Sequence, residues 1–298
     1  MNFNQNFITN IREIYGKPGD DWLNNIEVNL ARLCRKRNLI FVSVMPNLTY
    51  HFVCLVKIIS TNETAVLKMA LDDKHIVNEV RCLQCFKDGV PRIYWYDKQE
   101  HAILMEYLEP GHSLKKLVQN GEDDLATKLI CDEIKKLQSN QQCHYKFKHI
   151  SELANSLYVL DGHVDTHLLS KAKKLFYDLT IDKATDVVLH GDLHHDNILA
   201  SGNTWKAIDP HGYMGDPAFE VGSIIFNPYD CFPDHLTVNA LIERRLYIMI
   251  EQLSFDKQRI KAWAFCKTIL SVAWTFEDHG KIDKDEFEIA EIIDSIRV

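Results

Sequence analysis

The spacing of apolar positions predicts a change of structural class near residue 110. Over roughly the first 40 residues the apolar positions recur at helical spacing, as in Trp22, Leu23, Ile26, Leu30 and Leu33. Beyond them, β-rich apolar runs lie at 39–44, 52–59, 65–70, 92–96 and 102–107. A helix over about 72–87 separates the third run from the fourth. The order β-β-β-α-β-β is typical of an antiparallel sheet with one packed helix.

Helical periodicity dominates after the break at Glu109-Pro110-Gly111. It covers 124–137, 150–160, 164–179, 236–253 and 260–275. A β-rich island at 187–209 interrupts this series. The pattern therefore predicts an α+β chain of two lobes. A small antiparallel-sheet lobe with N-terminal helices spans 1–107, and a larger, mostly helical lobe spans 108–298.

Charge and hydropathy exclude several classes of protein. The chain has 42 acidic and 34 basic side chains and a net charge of −8, which argues against a nucleic-acid partner. An uninterrupted apolar run of about 18 residues is missing, so we expect no membrane span. The N-terminus lacks the basic and apolar segments of a secretory signal, so we expect a cytoplasmic location.

The eight cysteines are scattered, and in a cytoplasmic chain they are expected to be reduced. Cys82-x-x-Cys85 is the one close pair. A zinc site needs four ligands, and this pair has no second pair nearby. A metal or redox role for it is the less favoured interpretation.

The β-rich island contains the residues that best indicate chemistry. It includes His190-Gly191-Asp192-Leu193-His194-His195-Asp196-Asn197, with the H-x-D-x-x-x-x-N spacing of a kinase catalytic loop. In that arrangement Asp192 accepts a hydrogen bond from the attacking hydroxyl. Asn197 and Asp209, which ends the strand after a Ser201-Gly202-Asn203 turn, are the expected Mg²⁺ ligands.

The alternative interpretation of this island is a metal cluster of His190, His194 and His195. The run also contains two carboxylates, but it has no partner site, and its flanks match the kinase spacing position by position. The kinase interpretation is therefore favoured. We expect His190 to fix the loop by packing and hydrogen bonding.

The small lobe contains candidates for phosphate binding. Ala65-Val66-Leu67-Lys68 resembles the kinase strand whose lysine contacts the α/β-phosphates. Glu79, on the following helix, is its expected ion-pair partner. Asp72, Asp73 and Asp88 are alternative partners. By itself Lys68 would be interpreted as a surface lysine.

Two further segments are candidates for nucleotide contact. The loop between the first two strands, Pro46 to Val53, lacks the glycines of a protein kinase, so the Thr49 hydroxyl and backbone amides would approach the phosphates. Met105-Glu106-Tyr107-Leu108 is placed as a hinge, where main-chain groups of Glu106 and Tyr107 can pair with an adenine edge. A nucleotide cleft is therefore expected near residues 106–109.

These motifs together resemble a known family. The His190–Asn197 block, Ala207-Ile208-Asp209-Pro210-x-Gly212 and Gly215-Asp216-Pro217-Ala218-Phe219-Glu220 are similar to the aminoglycoside phosphotransferase superfamily. The likeness is closest to its aminoglycoside/hydroxyurea antibiotic resistance kinases, which include streptomycin 6-kinases, and runs through about 40–280. His51 departs from it, since a small amide residue is expected there. The resemblance implies a bilobal protein-kinase-like fold, ATP, and phosphoryl transfer to a hydroxyl of a small molecule.

The C-terminal part indicates the charge of the acceptor. Residues 213–298 carry 15 acidic and nine basic side chains, which favours a cationic acceptor such as an aminoglycoside. The candidate acceptor contacts are Asp216, Glu220, Trp274, Glu277 and Asp278. Glu220 has an alternative role, bracing the catalytic loop. The acidic residues of the last helix, such as Asp285 and Glu288, are interpreted as a solvated face.

Two other functions stay open at this point. One is a kinase of another small metabolite, an amino alcohol, a sugar or a nucleoside. The other is a pseudokinase that binds a nucleotide without turnover, against which the intact set Lys68, Asp192, Asn197 and Asp209 argues. The sequence leaves the oligomeric state open.

Overall fold

A computed structural model describes residues 1–298 except 2, 140, 233 and 234, and leaves out the side chains of 75 and 235–237. The chain divides into two compact units. The first consists of Met1–Leu83 and Pro91–Leu108. The second consists of Gln84–Val90 and Glu109–Val298, so it includes a short segment that the sequence analysis placed in the small lobe.

The first unit is built on an antiparallel five-stranded sheet. Its strands are β1 (Leu39–Val44), β2 (Phe52–Ile58), β3 (Thr64–Met69), β4 (Ile93–Asp97) and β5 (Ala102–Glu106). They are arranged in the order β1-β2-β3-β5-β4, and helix α3 (Lys74–Cys85) connects β3 to β4. The predicted antiparallel α+β arrangement is confirmed.

The N-terminal helical stretch is two helices, α1 (Gln5–Tyr15) and α2 (Lys17–Arg37). Gly16 separates them at φ +58°, a conformation that glycine adopts without steric strain. The buried faces of both helices pack on the sheet in one apolar core with Phe52, Cys54 and Val56. Both helices thus stabilise the sheet that carries Lys68.

The second unit is mainly helical. Its α-helices are α4 (Lys115–Gln119), α5 (Asp123–Gln138), α6 (Thr166–Leu179), α7 (Gly222–Ile225), α8 (His235–Gln252), α9 (Lys257–His279) and α10 (Lys284–Ser295). Its 3₁₀ segments are Ile150–Leu160, His195–Asn197, Pro217–Val221 and Tyr229–Cys231. Helix α9 is buried on every side over most of its length, as its nearly continuous apolar sequence from Ile260 to Ala273 requires.

Two three-stranded sheets complete the second unit. One has the order β7-β11-β8, formed by β7 (Lys148–His149), β8 (Val187–Leu189) and β11 (Tyr213–Gly215). The other has the order β10-β9-β6, formed by β6 (Pro110–Ser113), β9 (Ile198–Ser201) and β10 (Thr204–Ala207). The candidate catalytic loop 190–197 runs from β8 to β9 and so joins the two sheets.

The structure corrects the expectation for two of the cysteines. Cys85 and Cys143 form a disulfide, so the prediction that both are reduced is wrong. The main-chain N–H of Gln142 donates to the Cys85 carbonyl at 3.1 Å, which brings these segments together. They lie 58 residues apart in sequence, a separation that local patterns do not reveal. In the part of the chain that the structure describes, helices that could cross a bilayer are absent.

Candidate active site

The candidate catalytic loop is fixed by a buried histidine. The His190 Nε2 atom lies 2.8 Å from the Ile208 carbonyl oxygen, and the main-chain N–H of Asp192 donates to Nδ1 at 3.3 Å. Both bonds are satisfied when Nε2 carries the proton. Burial lowers the pKa of His190 to about 4, so the ring is neutral at neutral pH. This placement agrees with a role in fixing the loop.

Asp192 is half-buried, and hydrogen bonds to Asn197 hold it. The Asn197 Nδ2 atom donates to the Asp192 carbonyl oxygen at 2.9 Å and to carboxylate Oδ2 at 3.3 Å. The Ser223 hydroxyl lies 3.5 Å from the other carboxylate oxygen. The spacing of five residues in the sequence therefore becomes a direct contact between these two side chains.

Three cationic or titratable groups keep Asp192 ionised. Burial alone would raise its pKa, but His194, His211 and Lys267 outweigh burial and hold the pKa well below its usual range. The Nε2 atoms of His194 and His211 lie 3.5 and 3.9 Å from Asp192 Oδ2. At neutral pH the residue is a carboxylate, the form that can accept a proton.

Asn197 and Asp209 are brought together by the β9–β10 hairpin. The Ile208 N–H donates to the Asn197 carbonyl at 2.9 Å, so the strand end that carries Asp209 lies beside Asn197. Asp209 has φ +57°, a left-handed conformation that is uncommon outside glycine. Because Asn197 turns its amide nitrogen toward Asp192, the amide oxygen is the atom with which it could hold a metal ion. An amide oxygen and a carboxylate fit Mg²⁺.

The three histidines of the loop have separate environments. His190 contacts Ile208, while His194 contacts Asp192 and accepts from the Asp196 N–H at 3.2 Å. His195 is fully buried, which lowers its pKa well below the usual value. Across the described residues, groups of three or more His, Cys, Asp or Glu that could hold a metal are absent. The geometry gives no support to the metal-cluster interpretation.

Two predicted acceptor contacts are buried within the second unit. Glu220 is 5% exposed and accepts from the main-chain N–H groups of His190, at 2.6 Å, and Gly191, at 3.2 Å. Asp216 is 4% exposed, accepts from Arg259 Nε at 2.6 Å and also from Trp263 Nε1. Both carboxylates are buried and bonded within the fold, so we reassign Glu220 from acceptor contact to support of the loop and Asp216 to a bond with helix α9.

The remaining acceptor candidates lie on α9. Trp274 is half-buried, while Glu277 and Asp278 are exposed near the end of the helix. Their exposure is compatible with contact to a bound molecule. Their role stays a prediction.

In the first unit the predicted ion pair is present. Lys68 Nζ, on β3, lies 2.8 Å from Glu79 Oε2, on α3. Both residues are 4% exposed, which separates Lys68 from an ordinary surface lysine. Asp73, one of the alternative partners, accepts instead from the Tyr96 hydroxyl.

The other predicted nucleotide contacts differ in their surroundings. Thr49 is exposed, and its carbonyl accepts from Asn10 Nδ2 at 3.2 Å. The Glu106 N–H donates to the Arg92 carbonyl at 2.8 Å, and its carboxylate accepts from the Arg92 N–H at 2.9 Å. The N–H of Glu106 is therefore committed to the end of the sheet. Adenine pairing through an N–H would have to use Tyr107 or a later residue.

Residues 44–279 match the family model for the aminoglycoside/hydroxyurea antibiotic resistance kinases. The chain belongs to this family. The predicted membership is confirmed, and with it the prediction of an enzyme, a phosphotransferase that acts on an alcohol group.

Several characterised proteins resemble this family member in sequence. It is 27% identical over 235 residues to streptomycin 3''-kinase from Klebsiella pneumoniae, over 74% of this chain and 88% of that protein. It is 25% identical over 223 residues to streptomycin 6-kinase from Streptomyces glaucescens, over 72% and 71% of the two chains. It is 24% identical over 236 residues to hydroxyurea phosphotransferase from Kitasatospora aureofaciens, and the match covers 76% of this chain and 66% of that protein.

Solved structures confirm the predicted protein-kinase-like fold of this family member. A choline kinase from Streptococcus pneumoniae superposes with a TM-score of 0.63 at 16% identity, covering 91% of this chain and 100% of that one. An aminoglycoside phosphotransferase in complex with ADP and hygromycin B gives a TM-score of 0.61 at 12% identity, covering 89% of this chain and 96% of that one. At these identities the likeness concerns the fold alone.

Sequence reasoning missed two buried cations in the second unit. Lys267, on α9, is 1% exposed, and its Nζ atom donates to the Gly191 carbonyl at 2.5 Å. Arg245, on α8, is fully buried, pairs with Asp123 and donates to the carbonyls of Ile224, Ile225 and Asn227. The sequence does contain an indication for Lys267, because it is the charged residue within the apolar run from Trp263 to Leu270. Such a charge needs a buried partner.

Proposed function

We propose that this enzyme transfers the γ-phosphoryl group of ATP, in the presence of Mg²⁺, to a hydroxyl of a small cationic molecule of the streptomycin type. The proposal is supported most directly by the state of Asp192. This residue is an ionised carboxylate that is hydrogen-bonded to Asn197 within the family's catalytic block. The streptomycin kinases among its relatives support the acceptor class.

In this proposal Asp192 orients the acceptor hydroxyl and receives its proton. Phosphoryl transfer proceeds through a loose transition state, so positioning matters as much as basicity. The low pKa of Asp192 is therefore compatible with its role. Lys68, held by Glu79, contacts the α/β-phosphates, and main-chain groups of the segment that includes Tyr107 pair with the adenine.

Asn197 and Asp209 are the proposed Mg²⁺ ligands. When bound there, Mg²⁺ would supply positive charge that offsets the charge of the phosphate groups. Asp209→Asn should abolish Mg²⁺-dependent turnover and leave the fold intact. Turnover is measured across a Mg²⁺ titration, with circular dichroism as the check on folding. Unchanged Mg²⁺ dependence in the variant would contradict the assignment.

The acceptor is tested by ADP release from the wild-type chain and ATP. The panel contains streptomycin, a second aminoglycoside, choline, a neutral sugar and a nucleoside, and ³¹P NMR identifies the hydroxyl that is phosphorylated. We expect acceptor-dependent ADP release that is fastest with streptomycin. Faster release with choline, the sugar or the nucleoside would reject the acceptor class, and ATP binding without release would indicate a pseudokinase.

A second candidate acceptor class has one supporting observation. The chain is 26% identical over 175 residues to methylthioribose kinase from Escherichia coli, over 46% of this chain and 41% of that protein. A thiosugar such as methylthioribose therefore belongs in the same panel. Preference for it would favour a metabolic kinase over a resistance enzyme.

A further inference from the structure

The structure contains a buried ammonium group that the family motifs leave unexplained. Lys267 lies in the middle of α9, 1% exposed, with its Nζ atom 4.2 Å from the centre of the Phe219 ring. Burial of an ammonium group is unfavourable unless hydrogen bonds and opposite charges compensate it. Its Nζ atom donates a hydrogen bond to the carbonyl oxygen of Gly191, the residue immediately before Asp192.

The peptide group between Gly191 and Asp192 is thereby fixed at both of its polar atoms. Its carbonyl oxygen accepts from Lys267 Nζ at 2.5 Å, and its N–H donates to His190 Nδ1 at 3.3 Å. The two preceding N–H groups are bonded to Glu220. Rotation of this peptide would turn the Asp192 side chain, so the bonds to it determine where that carboxylate points.

Lys267 also contributes charge to the same place. Burial lowers its pKa to about 8, while Asp192 and Glu220 oppose that shift, so the amine is mainly protonated at neutral pH. Burial raises the pKa of Glu220 to about 7, and Lys267 opposes that shift in turn. One cation therefore compensates two acidic groups, Asp192 in the loop and Glu220 bonded to it.

The backbone around Gly222 accommodates the lysine stem. A Cβ atom at Gly222 would lie 2.2 Å from Lys267 Cβ and 2.5 Å from Lys267 Cγ. These distances are far below van der Waals contact and involve atoms next to the helix backbone, so a larger residue at 222 would displace the stem together with that part of α9. Gly222 therefore offers a second way to disturb the ammonium group, without removing it.

We infer that Lys267 is a positioning residue for phosphoryl transfer, because its ammonium group holds the Gly191 carbonyl and so orients Asp192 toward the acceptor hydroxyl. The inference rests on the proposed function, since it assigns Asp192 as the proton acceptor. It adds to that function a residue on α9, 75 positions beyond Asp192 in the sequence.

The first test is kinetic, with Lys267→Met beside Lys261→Met. Lys261 lies on the same helix and donates to the Asp294 carbonyl at 2.9 Å, so it is the matched control. Lys267→Met should lower kcat by about 10- to 100-fold, as loss of orientation does, with KM for ATP within about twofold of wild type. Lys261→Met should retain wild-type kcat. Gly222→Ala should also lower kcat. It replaces Lys267→Met in this test if Lys267→Met does not fold.

The second test is amide hydrogen exchange of the apo chain, which needs no turnover. Lys267→Met should speed exchange in the peptide containing residues 190–192 and leave the β-strands of the first unit unchanged. Turnover within about threefold of wild type in Lys267→Met and Gly222→Ala would overturn the inference. Faster exchange throughout the second unit would also overturn it, by showing a general loss of stability. If the wild-type chain phosphorylates no acceptor, the proposed function fails, and exchange still decides whether Lys267 holds the loop.

Discussion

At the scale of single residues, the spacing of the catalytic block translates directly into contacts. The H-x-D-x-x-x-x-N pattern predicted that Asp192 and Asn197 lie together, and they are hydrogen-bonded. Such short spacings fix geometry because the intervening loop is too short to vary much. The roles of the two side chains can therefore be tested with substitutions that keep their shape.

Asp192→Asn keeps the shape of the side chain and removes the proton acceptor. Turnover should fall by roughly 10²–10⁴-fold, while nucleotide affinity stays close to wild type. Acceptor-dependent ADP release and calorimetry with a nucleotide measure the two quantities. Asp196→Asn is the matched control, because Asp196 is an exposed carboxylate in the same loop. Full turnover in Asp192→Asn would contradict its assignment, and loss of nucleotide binding would make it a structural or metal residue.

Lys68→Ala removes the charge of the buried pair on β3. Loss of a contact to the developing charge should raise the barrier by about 2.7–4 kcal/mol, which is measured as a fall in kcat/KM. Lys57→Ala is the control, since Lys57 is exposed on the neighbouring strand β2. Activity within about threefold of wild type would show that Lys68 does not contact the phosphates.

At the scale of elements, strands and helices with clear periodicity were predicted closely, and strand β6 was missed. The predicted runs 39–44 and 102–107 correspond to Leu39–Val44 and Ala102–Glu106. Pro110–Ser113 was interpreted as a break, yet it forms β6 beside β9. Its residues Pro-Gly-His-Ser are typical of a turn, and its partner lies more than 80 positions later in the sequence.

Helix α10 packs a carboxyl group against α9, and this contact makes stability depend on pH. Burial raises the pKa of Glu286 to about 7, Asp283 adds to the shift, and the hydrogen bond with Ser271 opposes it. The folded state then holds a proton that the unfolded state releases above its ordinary pKa near 4.5. Stability from this group is therefore lost as pH rises from about 4.5 to 7.

Glu286→Gln should remove this dependence. The variant should melt at a higher temperature than wild type at pH 8, and the difference should shrink toward pH 5. Thermal melts of both chains across that range measure it. Glu291→Gln is the control, because Glu291 is exposed on the same helix. If the melting temperatures of Glu286→Gln and wild type differed by the same amount at all pH values, the pKa of Glu286 would not be raised by folding.

At the scale of the whole molecule, the sequence predicted which fold the chain adopts but not which distant residues support the site. Periodicity and the catalytic block indicated a protein-kinase-like α+β chain, and both the family and the fold were confirmed. Glu220 and Lys267 converge on Gly191 from positions 29 and 76 residues later in the sequence. No local pattern connects such positions, because tertiary packing alone brings them together.

The distribution of charge over the whole chain yields the last prediction. Residues 213–298 carry 15 of the 42 acidic side chains and nine of the 34 basic ones, so this part should attract a cation at a distance. The kcat/KM for streptomycin should fall by about threefold or more as salt rises from low to moderately high concentration, because salt screens exposed charges. A neutral sugar acceptor should show a much smaller change.

Glu277 and Asp278 allow the same prediction to be tested by mutation, since both are exposed near the end of α9. The double variant Glu277→Gln/Asp278→Asn should raise KM for streptomycin and flatten its salt dependence, with kcat retained. Glu288→Gln/Glu291→Gln removes the same charge from the exposed side of α10 and serves as the control. Equal effects of the two double variants would mean that net charge attracts the acceptor. A larger effect at α9 would mean that these two carboxylates contact it.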